Sequence, residues 1–287
     1  MDIYHLRSFV VLAEHRHFGR AAQALHVSQP ALTKQIRRLE EELGSSLFER
    51  EPTGARLSAV GQRWLPEAQA VITRFDQAVA FAHKSARGTV GQLRVGFGAH
   101  TLELVPKLVA KLRESAPDVQ ITLRDMSSAE QASALSAGQL DVGFMRMPIP
   151  DAARYKHVPI IEDRLALVVP VGTKLSGKRW LIEFRDTPFV SISRNRSPGF
   201  FNHVLDLCAA YGFHPRIVQE VHEFPTAIAL VRAGMGVTMI PESLWTSRIP
   251  GVEMHRLEDR RAVWKVATVW RRGDTNPVLA NLIRLLP

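Results

Sequence analysis

The sequence predicts a small helical N-terminal domain and a larger C-terminal α/β domain, joined by one long helix. First, apolar residues recur at helical spacing in three short N-terminal segments. Second, a single narrow apolar seam continues through residues 59–87. Third, strand-like and helix-like segments alternate after Gly88, which is typical of α/β domains. We therefore place the domain boundaries at 1–58, 59–87 and 88–287.

The composition indicates a globular, basic chain. Hydrophobic residues make up 46%, and 37 Lys and Arg exceed 28 Asp and Glu, for a net charge of +9. This balance is neither that of a disordered chain nor that of a membrane protein, and it favours a polyanionic partner. The N-terminus has no signal-peptide core, and Cys208 is the only cysteine. We expect a cytoplasmic protein that does not bind membranes.

Residues 1–58 are predicted to form a winged helix-turn-helix. Helical spacing marks Leu6–Ala13 and Phe18–Leu25, and a third helix is predicted from its cap Ser28 to Gly44. The short connection before Ser28 is what a helix-turn-helix requires. Residues 47–57 are interpreted as a hairpin, the wing, with Pro-Thr-Gly at its tip.

The third predicted helix has the residue types of a DNA-recognition helix. Its amide and hydroxyl groups suit base edges in the major groove, and its cations suit phosphates. For the helix taken alone, a solvated basic face is the alternative interpretation. The candidate DNA-binding residues are Arg20, Ser28, Gln29, Pro30, Thr33, Lys34, Arg37, Arg38, Arg50 and Arg56.

The long helix over residues 59–87 carries an apolar seam at alternating spacings of three and four. Such a seam is too narrow to cover a globular core and favours a partner helix, so we expect dimerisation through it. Packing on its own domain is the alternative, and Pro66 predicts a local kink. The candidate dimerisation residues are Leu65, Ala68, Ile72, Phe75 and Val79.

The C-terminal domain is expected to have two lobes. The final helix from Asn276 is followed by no further strand, so the chain is expected to return to the first lobe before it ends. We assign about 91–162 and 265–287 to lobe I and about 163–264 to lobe II, with crossings near 160–164 and 263–270. The predicted strands are Leu93–Phe97, Val119–Leu123, Val142–Met145, Leu165–Val169, Phe189–Ile192, Ile217–Val221, Val237–Ile240 and Val263–Trp270.

The segment from Phe18 to Gln62 contains the Ala21-Ala22 pair, the SQPAL helix start, RRLEEELG, LFER and the L-S-x-x-G start of the long helix. In these motifs it resembles the N-terminal region of LysR-type transcriptional regulators. It implies a regulator that reads an interrupted palindrome in double-stranded DNA and assembles through its linker helix, usually as a homotetramer. It also implies a periplasmic-binding-protein-like effector domain, with RNA polymerase as a further candidate partner.

The predicted strand ends indicate where a small effector binds. Ligands of α/β lobes collect at the carboxyl ends of strands, where helix N-termini favour anions. Hydroxyls and a guanidinium would hold a carboxylate while aromatic rings cover an apolar body. Ordinary helix capping and a surface ion pair at Arg146 are the alternatives. The candidate effector residues are Ala99, His100, Thr101, Ser127, Ser128, Arg146, Ser193, Asn195, Phe200 and Phe224.

The stretches HFGRAA, DMSSAEQ and GQLDVGFMRMPI are similar to the branch of the family that responds to aromatic acids, catechols or muconate-like compounds. In that branch a serine commonly occupies the position of Ala99. The departure removes a hydroxyl from the expected carboxylate end, although Thr101 could supply a replacement. The effector class is therefore kept at organic acids.

Other classes of function fit the sequence less well. There is no metal-ligand spacing, nucleophile elbow or Walker loop, and Gly96-Phe97-Gly98 lacks the context of a dinucleotide fingerprint. We therefore assign no catalytic residue, no metal and no cofactor. A secreted solute-binding protein would need an export signal and no basic helix-turn-helix. The interpretation as an architectural DNA-binding protein does not account for residues 88–287.

Overall fold

The structure is a computed structural model that describes residues 1–51, 54–177 and 180–287. The chain divides into two compact units, Met1–Lys84 and Ser85–Pro287. Among the described residues, none of the helices has the length and apolar character needed to cross a membrane. Nor do these residues contain a cluster of His, Cys, Asp or Glu suited to holding a metal ion.

The N-terminal unit has the predicted order of three helices and a hairpin followed by a long helix. The elements are α1 (Ile3–His15), α2 (Phe18–Ala24), α3 (Gln29–Leu43), β1 (Phe48–Glu51), β2 (Gly54–Leu57) and α4 (Ala59–Ala86). Ser28 Oγ caps α3 by accepting from Ala31 N at 3.3 Å. Gly44 ends α3 in the left-handed region at φ 68°. These local signals were correctly predicted from the sequence.

The wing is tied to the helices by polar contacts to backbone atoms. Glu40 Oε1 accepts from Leu47 N at 2.7 Å and Phe48 N at 3.2 Å, so α3 holds the start of β1. The L-S-x-x-G motif has a steric basis as well. A Cβ on Gly61 would lie 2.2 Å from Leu47 O, so only glycine lets α4 start against the hairpin. The predicted tip residues Pro52 and Thr53 lie outside the described residues.

The long helix α4 is continuous through Pro66. The prediction of its seam needs correction in its first half, because Ala68 is 1% exposed and belongs to the core of its own unit. Leu65 and Ile72 also pack against that core. A heptad pattern does not say which neighbour covers it; here the N-terminal domain buries Ala68 and contacts Leu65 and Ile72, which stay partly exposed. Phe75 and Val79 remain 44% and 41% exposed.

The C-terminal unit is a mixed sheet covered by helices. Its elements are β3 (Val90–Phe97), α5 (Val105–Ser115), β4 (Asp118–Asp125), α6 (Ser128–Ser136), β5 (Val142–Arg146), β6 (Tyr155–Pro170), β7 (Pro188–Ile192), α7 (Pro198–Ala210), β8 (Arg216–Val221), α8 (Phe224–Arg232), β9 (Val237–Pro241), β10 (Val252–Arg256), β11 (Val263–Arg271) and α9 (Pro277–Arg284).

Two long strands, β6 and β11, connect two lobes. The sheet order is β4-β3-β5-β11-β6-β9-β7-β8, and β10 pairs with β6. In lobe I, β3 runs parallel to β4 and β5 beside α5, α6 and α9. In lobe II, β7 runs parallel to β8 and β9 beside α7 and α8. Each lobe buries a hydrophobic core of its own.

Two parts of this sheet differ from the predicted strands. The strand predicted at Leu165 starts at Tyr155 instead, and β10 was not predicted at all. The first half of β6 is rich in exposed charged and polar side chains, which hides the period-two pattern. The half buried in the lobe II core from Leu165 onward carries the apolar run that the sequence signal detects.

Candidate effector site and DNA interface

A cavity of about 460 Å³ lies between lobe I and lobe II. Lobe I supplies the loops after β3 and β4 and the end of β5, while lobe II supplies the starts of α7 and α8. The lining residues are Gly98, Ala99, His100, Leu102, Asp125, Met126, Ser127, Ser128, Arg146, Ile192, Arg196, Ser197, Phe200, His222, Glu223, Phe224, Pro225, Ile228, Ala229, Arg232, Leu244 and Ile249.

The lobe I wall is fixed by a buried amide. Gln131 is fully buried; its Nε2 donates to Met126 O at 2.9 Å and its Oε1 accepts from Phe144 N at 2.7 Å. This residue joins the end of β4 to β5 and holds the start of α6 beside them. Ser127 caps α6 in a capping box with Glu130. The cavity wall therefore has a rigid frame that sequence reasoning missed.

Arg146 crosses from lobe I to lobe II. Its backbone N donates to Ser128 Oγ at 3.0 Å, and its Nη2 donates to His203 Nδ1 at 2.6 Å. The guanidinium carbon lies 4.1 Å from the Trp264 ring centroid and 5.6 Å from that of Phe200. Its Nη1 is buried and has no hydrogen-bond partner among the described residues. The contacts formed are thus to an imidazole and two aromatic rings, not to a carboxylate.

Burial lowers the pKa of the Arg146 guanidinium to about 10, a shift that the charge of Asp163 partly opposes. The group is still a cation at neutral pH. His203 is a neutral partner, because it accepts from Arg146 at Nδ1 and contacts Arg261 O through Nε2. Arg146 therefore brings a positive charge to the cavity wall, and in the described part of the chain no carboxylate forms an ion pair with it, although the charge of Asp163 acts on it from a distance.

His100 also lines the cavity, and it carries a second buried polar atom without a partner in the described residues. The residue is partly exposed, but its Nε2 is buried and has no hydrogen-bond partner in the described part of the chain. Burial, assisted by the positive charge of Arg146, lowers the pKa of His100 to about 4. The imidazole is therefore neutral at pH 7.

Another arginine at the cavity is already neutralised. Arg196 Nη1 lies 2.7 Å from Glu130 Oε2, and its Nη2 lies 3.7 Å from Asp125 Oδ1. Since Arg196 follows β7 while both carboxylates belong to lobe I, these ion pairs also join the lobes. Arg196 should attract a bound anion less strongly than Arg146 does, because two carboxylates already neutralise its charge.

The structure brings most of the predicted effector residues to this cavity. Those that line it are Ala99, His100, Ser127, Ser128, Arg146, Phe200 and Phe224. Three others do not, which corrects the prediction. Thr101 Oγ1 turns back to Gly98 N and O at 3.2 and 2.9 Å. Ser193 Oγ accepts from Arg196 N at 3.3 Å, and Asn195 is exposed away from the lining.

Sequence reasoning missed the apolar lobe II wall. Its members are Ile192, Ile228, Ala229, Leu244 and Ile249. Ile228 and Ala229 are adjacent on α8, and no local pattern distinguishes a helix face toward a cleft from one toward a core. The N-terminal Glu223-Phe224 turn was the available signal for this helix.

The candidate DNA interface lies on the first turns of α3. Five of the predicted residues line one surface concavity: Gln29, Pro30, Thr33, Lys34 and Arg37. Thr33 Oγ1 donates to Gln29 O at 2.9 Å, so its hydroxyl proton is used within the helix. Gln29 and Lys34 present exposed side chains beside it. A helix N-terminus with an exposed amide and cation is suited to the major groove.

The remaining predicted DNA contacts are surface cations. Arg37 and Arg38 lie 3.0 and 3.3 Å from the carboxylates of Glu41 and Glu42, one turn along α3. Such exposed pairs are weak and can be exchanged for phosphate. Arg56 pairs with the carboxylate of Glu49 across the wing. Arg20 is exposed on α2, and the side chain of Arg50 lies outside the described residues.

A basic helix-turn-helix in one unit and a two-lobed domain with an internal cavity in the other define a ligand-responsive DNA-binding regulator. Comparison with known proteins assigns the family. Residues 3–62 match the bacterial regulatory helix-turn-helix protein, lysR family, and residues 86–287 match the LysR substrate binding domain. The chain belongs to the LysR family of transcriptional regulators. This is a family of DNA-binding regulators, not of enzymes.

Relatives are similar over nearly their whole length. The chain is 32% identical to the HTH-type transcriptional regulator AlsR of Bacillus subtilis, covering 99% of this chain and 95% of that one. It is 33% identical to CatR of Pseudomonas putida, over 100% and 98%. The structure of full-length CbnR complexed with its target DNA matches with a TM-score of 0.80 at 29% identity, over 100% and 98%.

Proposed function

We propose that this regulator responds to a small organic acid bound between the two lobes, with the acid's carboxylate on Arg146. The observation that carries the proposal is the buried, cationic Arg146, whose Nη1 has no partner among the described residues. An unpaired buried donor on a charged group is costly, and a carboxylate removes that cost by accepting a charge-assisted hydrogen bond.

The surroundings of Arg146 suit an acid with an apolar body. Ser128 Oγ accepts from Arg146 N, which leaves its hydroxyl proton to donate to a ligand. The Phe200 and Phe224 rings form an edge-to-face pair with centroids 5.1 Å apart. Both line the cavity, opposite the polar ends of β3, β4 and β5. A volume of about 460 Å³ lies within the ordinary range for small-molecule sites, roughly 300–1,000 Å³.

Binding at Arg146 gives the acid a route to regulation. Arg146 lies at the end of β5 in lobe I, and its partner His203 lies on α7 in lobe II. A ligand that contacts this pair has different contacts when the lobes are closer or further apart. Such differential contact is what shifts a conformational equilibrium.

The DNA-reading and assembly surfaces complete the proposal. Gln29 and Thr33 at the start of α3 read base edges, while cations such as Arg37 contact phosphates. The exposed Phe75 and Val79 on α4 suit a second copy of this chain, because an apolar helix face of this kind is stabilised by a partner helix. A dimer presents two recognition helices to the two halves of an interrupted palindrome, and pairs of dimers give the homotetramer.

Thermal unfolding of the full chain tests the charge requirement. The probes are benzoate, phenylacetate and cis,cis-muconate, each compared with its neutral amide. We expect at least one acid to raise the melting temperature with concentration, its amide to do nothing, and Arg146→Gln to remove the response. Ligand at 100 times Kd stabilises by about 2.7 kcal/mol. Stabilisation by an amide as large as that by its acid, or an acid response that survives in Arg146→Gln, would overturn the proposal.

A further inference from the structure

Two residues that line the cavity each carry a buried polar atom without a partner in the described residues, and the two atoms differ in chemistry. Arg146 Nη1 is a cationic donor, whereas His100 Nε2 belongs to a neutral imidazole. Both residues line the same cavity. A ligand that displaces water from the cavity must pair with both atoms or leave one of them buried and unsatisfied.

The position of His100 is set by its backbone. The residue lies in a 3-10 turn, Ala99–Thr101, directly after β3. The Thr101 hydroxyl closes that turn onto Gly98 through two hydrogen bonds. The imidazole is thus carried on an anchored turn at the cavity wall, as a residue that contacts a ligand must be.

A hydroxyl is the ligand group that fits this atom. Neutral histidine carries one ring proton, and Nε2 donates in one tautomer and accepts in the other. A hydroxyl both donates and accepts, so it pairs with either tautomer. A second carboxylate would face a neutral imidazole, and Arg196, which also lines the cavity, is already ion-paired with Glu130 and Asp125. A plain hydrocarbon would leave Nε2 unpaired.

We propose that the effector is a hydroxy acid, whose carboxylate binds Arg146 and whose hydroxyl pairs with His100 Nε2. This inference rests on the proposed function, because it takes Arg146 as the carboxylate site. His100 then determines specificity: it separates a hydroxy acid from the same acid without the hydroxyl. An unpaired buried polar atom disfavours the deoxy compound by about tenfold or more.

Isothermal titration calorimetry on the full chain tests this with matched acids. The probes are benzoate against 2-, 3- and 4-hydroxybenzoate, and 3-phenylpropionate against 3-phenyllactate. In the wild type we expect at least one hydroxy acid to bind about tenfold or more tightly than its deoxy counterpart. This comparison needs no variant, so it does not depend on a substituted chain folding.

Three variants assign the preference to His100. His100→Phe keeps a ring but removes the nitrogen, and we expect the two members of a pair to bind within about twofold of each other. His100→Gln restores a donor and an acceptor and should recover the preference. His214→Phe, at an exposed position outside the cavity, should leave it unchanged.

The outcomes distinguish a failure of the hydroxy-acid inference from a failure of the acid site on which it rests. If acids bind through Arg146 but no hydroxyl improves binding, or if the improvement survives in His100→Phe, the hydroxy-acid inference is wrong and the acid site stands. If Arg146→Gln binds every probe as tightly as the wild type, the acid site itself is wrong, and the inference fails with it.

Discussion

Arg146 and Arg271 are both partly buried arginines of the C-terminal unit, and their partners are opposite in kind. Arg271 Nη2 lies 2.8 Å from Asp274 and 3.5 Å from Asp141, and its Nη1 donates to two backbone carbonyls. Arg146 has no carboxylate among its contacts in the described residues. Replacing each by Met removes the guanidinium and keeps the aliphatic stem, so the pair of variants compares a paired charge with an unpaired one.

The magnitudes predict different outcomes. A pKa lowered from 12.5 to about 10 means that burial makes the charge of Arg146 cost about 3 kcal/mol. The hydrogen bond to His203 stabilises the folded state by roughly 1.5–3 kcal/mol, and stacking on Trp264 stabilises it by about 1–2 kcal/mol. At the middle of these ranges the favourable contributions nearly equal the cost, so we expect Arg146→Met to change the unfolding free energy by about 1 kcal/mol or less. Arg271→Met leaves the largely buried Asp274 carboxylate without the arginine that pairs with it, while Asp141 keeps Arg94 at 2.6 Å, and should cost about 3 kcal/mol.

Calorimetric melting of the full chain, without added acid, measures the difference. For a domain of this size, about 3 kcal/mol corresponds to a fall of roughly 6–12 °C for Arg271→Met, while Arg146→Met should stay within about 4 °C of the wild type. Arg271→Met should still be stabilised by any acid that stabilises the wild type, and Arg146→Met should not. An equal loss of melting temperature in both variants would refute the reasoning, because Arg146 would then be a structural residue.

Further predictions concern DNA reading, assembly and pH. Gln29→Ala should lose about 1–3 kcal/mol of base discrimination in gel shifts, whereas Arg37→Ala should weaken specific and random DNA alike and reduce the salt slope by about one. Phe75→Glu should lower the assembled mass measured by light scattering, and Gln77→Glu on the same helix should not; equal masses would assign Phe75 to solvent. His100 has a folded pKa of about 4 below its ordinary 6.5, so the unfolded chain binds the proton first and stability falls as pH drops from 6.5 to 4. Denaturant titrations should show a loss that is larger in the wild type than in His100→Gln by up to about 3 kcal/mol, because His203, whose pKa burial also lowers, contributes in both chains.

The parts of the fold that the sequence predicted are those decided by local chemistry. Ser28 caps α3 and Gly44 ends it because a cap hydroxyl and a left-handed glycine act within one helical turn. The strand ends that carry Ala99, Ser128 and Arg146 were predictable for a related reason. In parallel strands of one lobe, the carboxyl ends meet at one edge of the sheet.

The incorrect predictions concern side chains for which two contacts of the same chemical kind were possible, one within the chain and one with another molecule. Ala68 has the spacing of a dimer seam, but the chain's own N-terminal core covers it. Thr101 has the hydroxyl of a carboxylate site, but that hydroxyl closes its own turn. In both cases the residue type is right for the predicted contact, and tertiary packing selects the nearer partner. Sequence pattern alone carries no information about that choice.

Under the proposed function, the partner of Arg146 explains how a site for an acid can exist in the absence of the acid. A carboxylate at the position of His203 would neutralise Arg146 and stabilise the lobes against each other, and it would compete with any ligand for the guanidinium. The imidazole supplies an acceptor without a charge, so the lobes are joined while the positive charge stays available. An acid bound at Arg146, as proposed, would contact a residue that joins the lobes and would change the energy of their arrangement. By linkage, any factor by which such an acid changes operator affinity is also the factor by which the operator changes acid affinity.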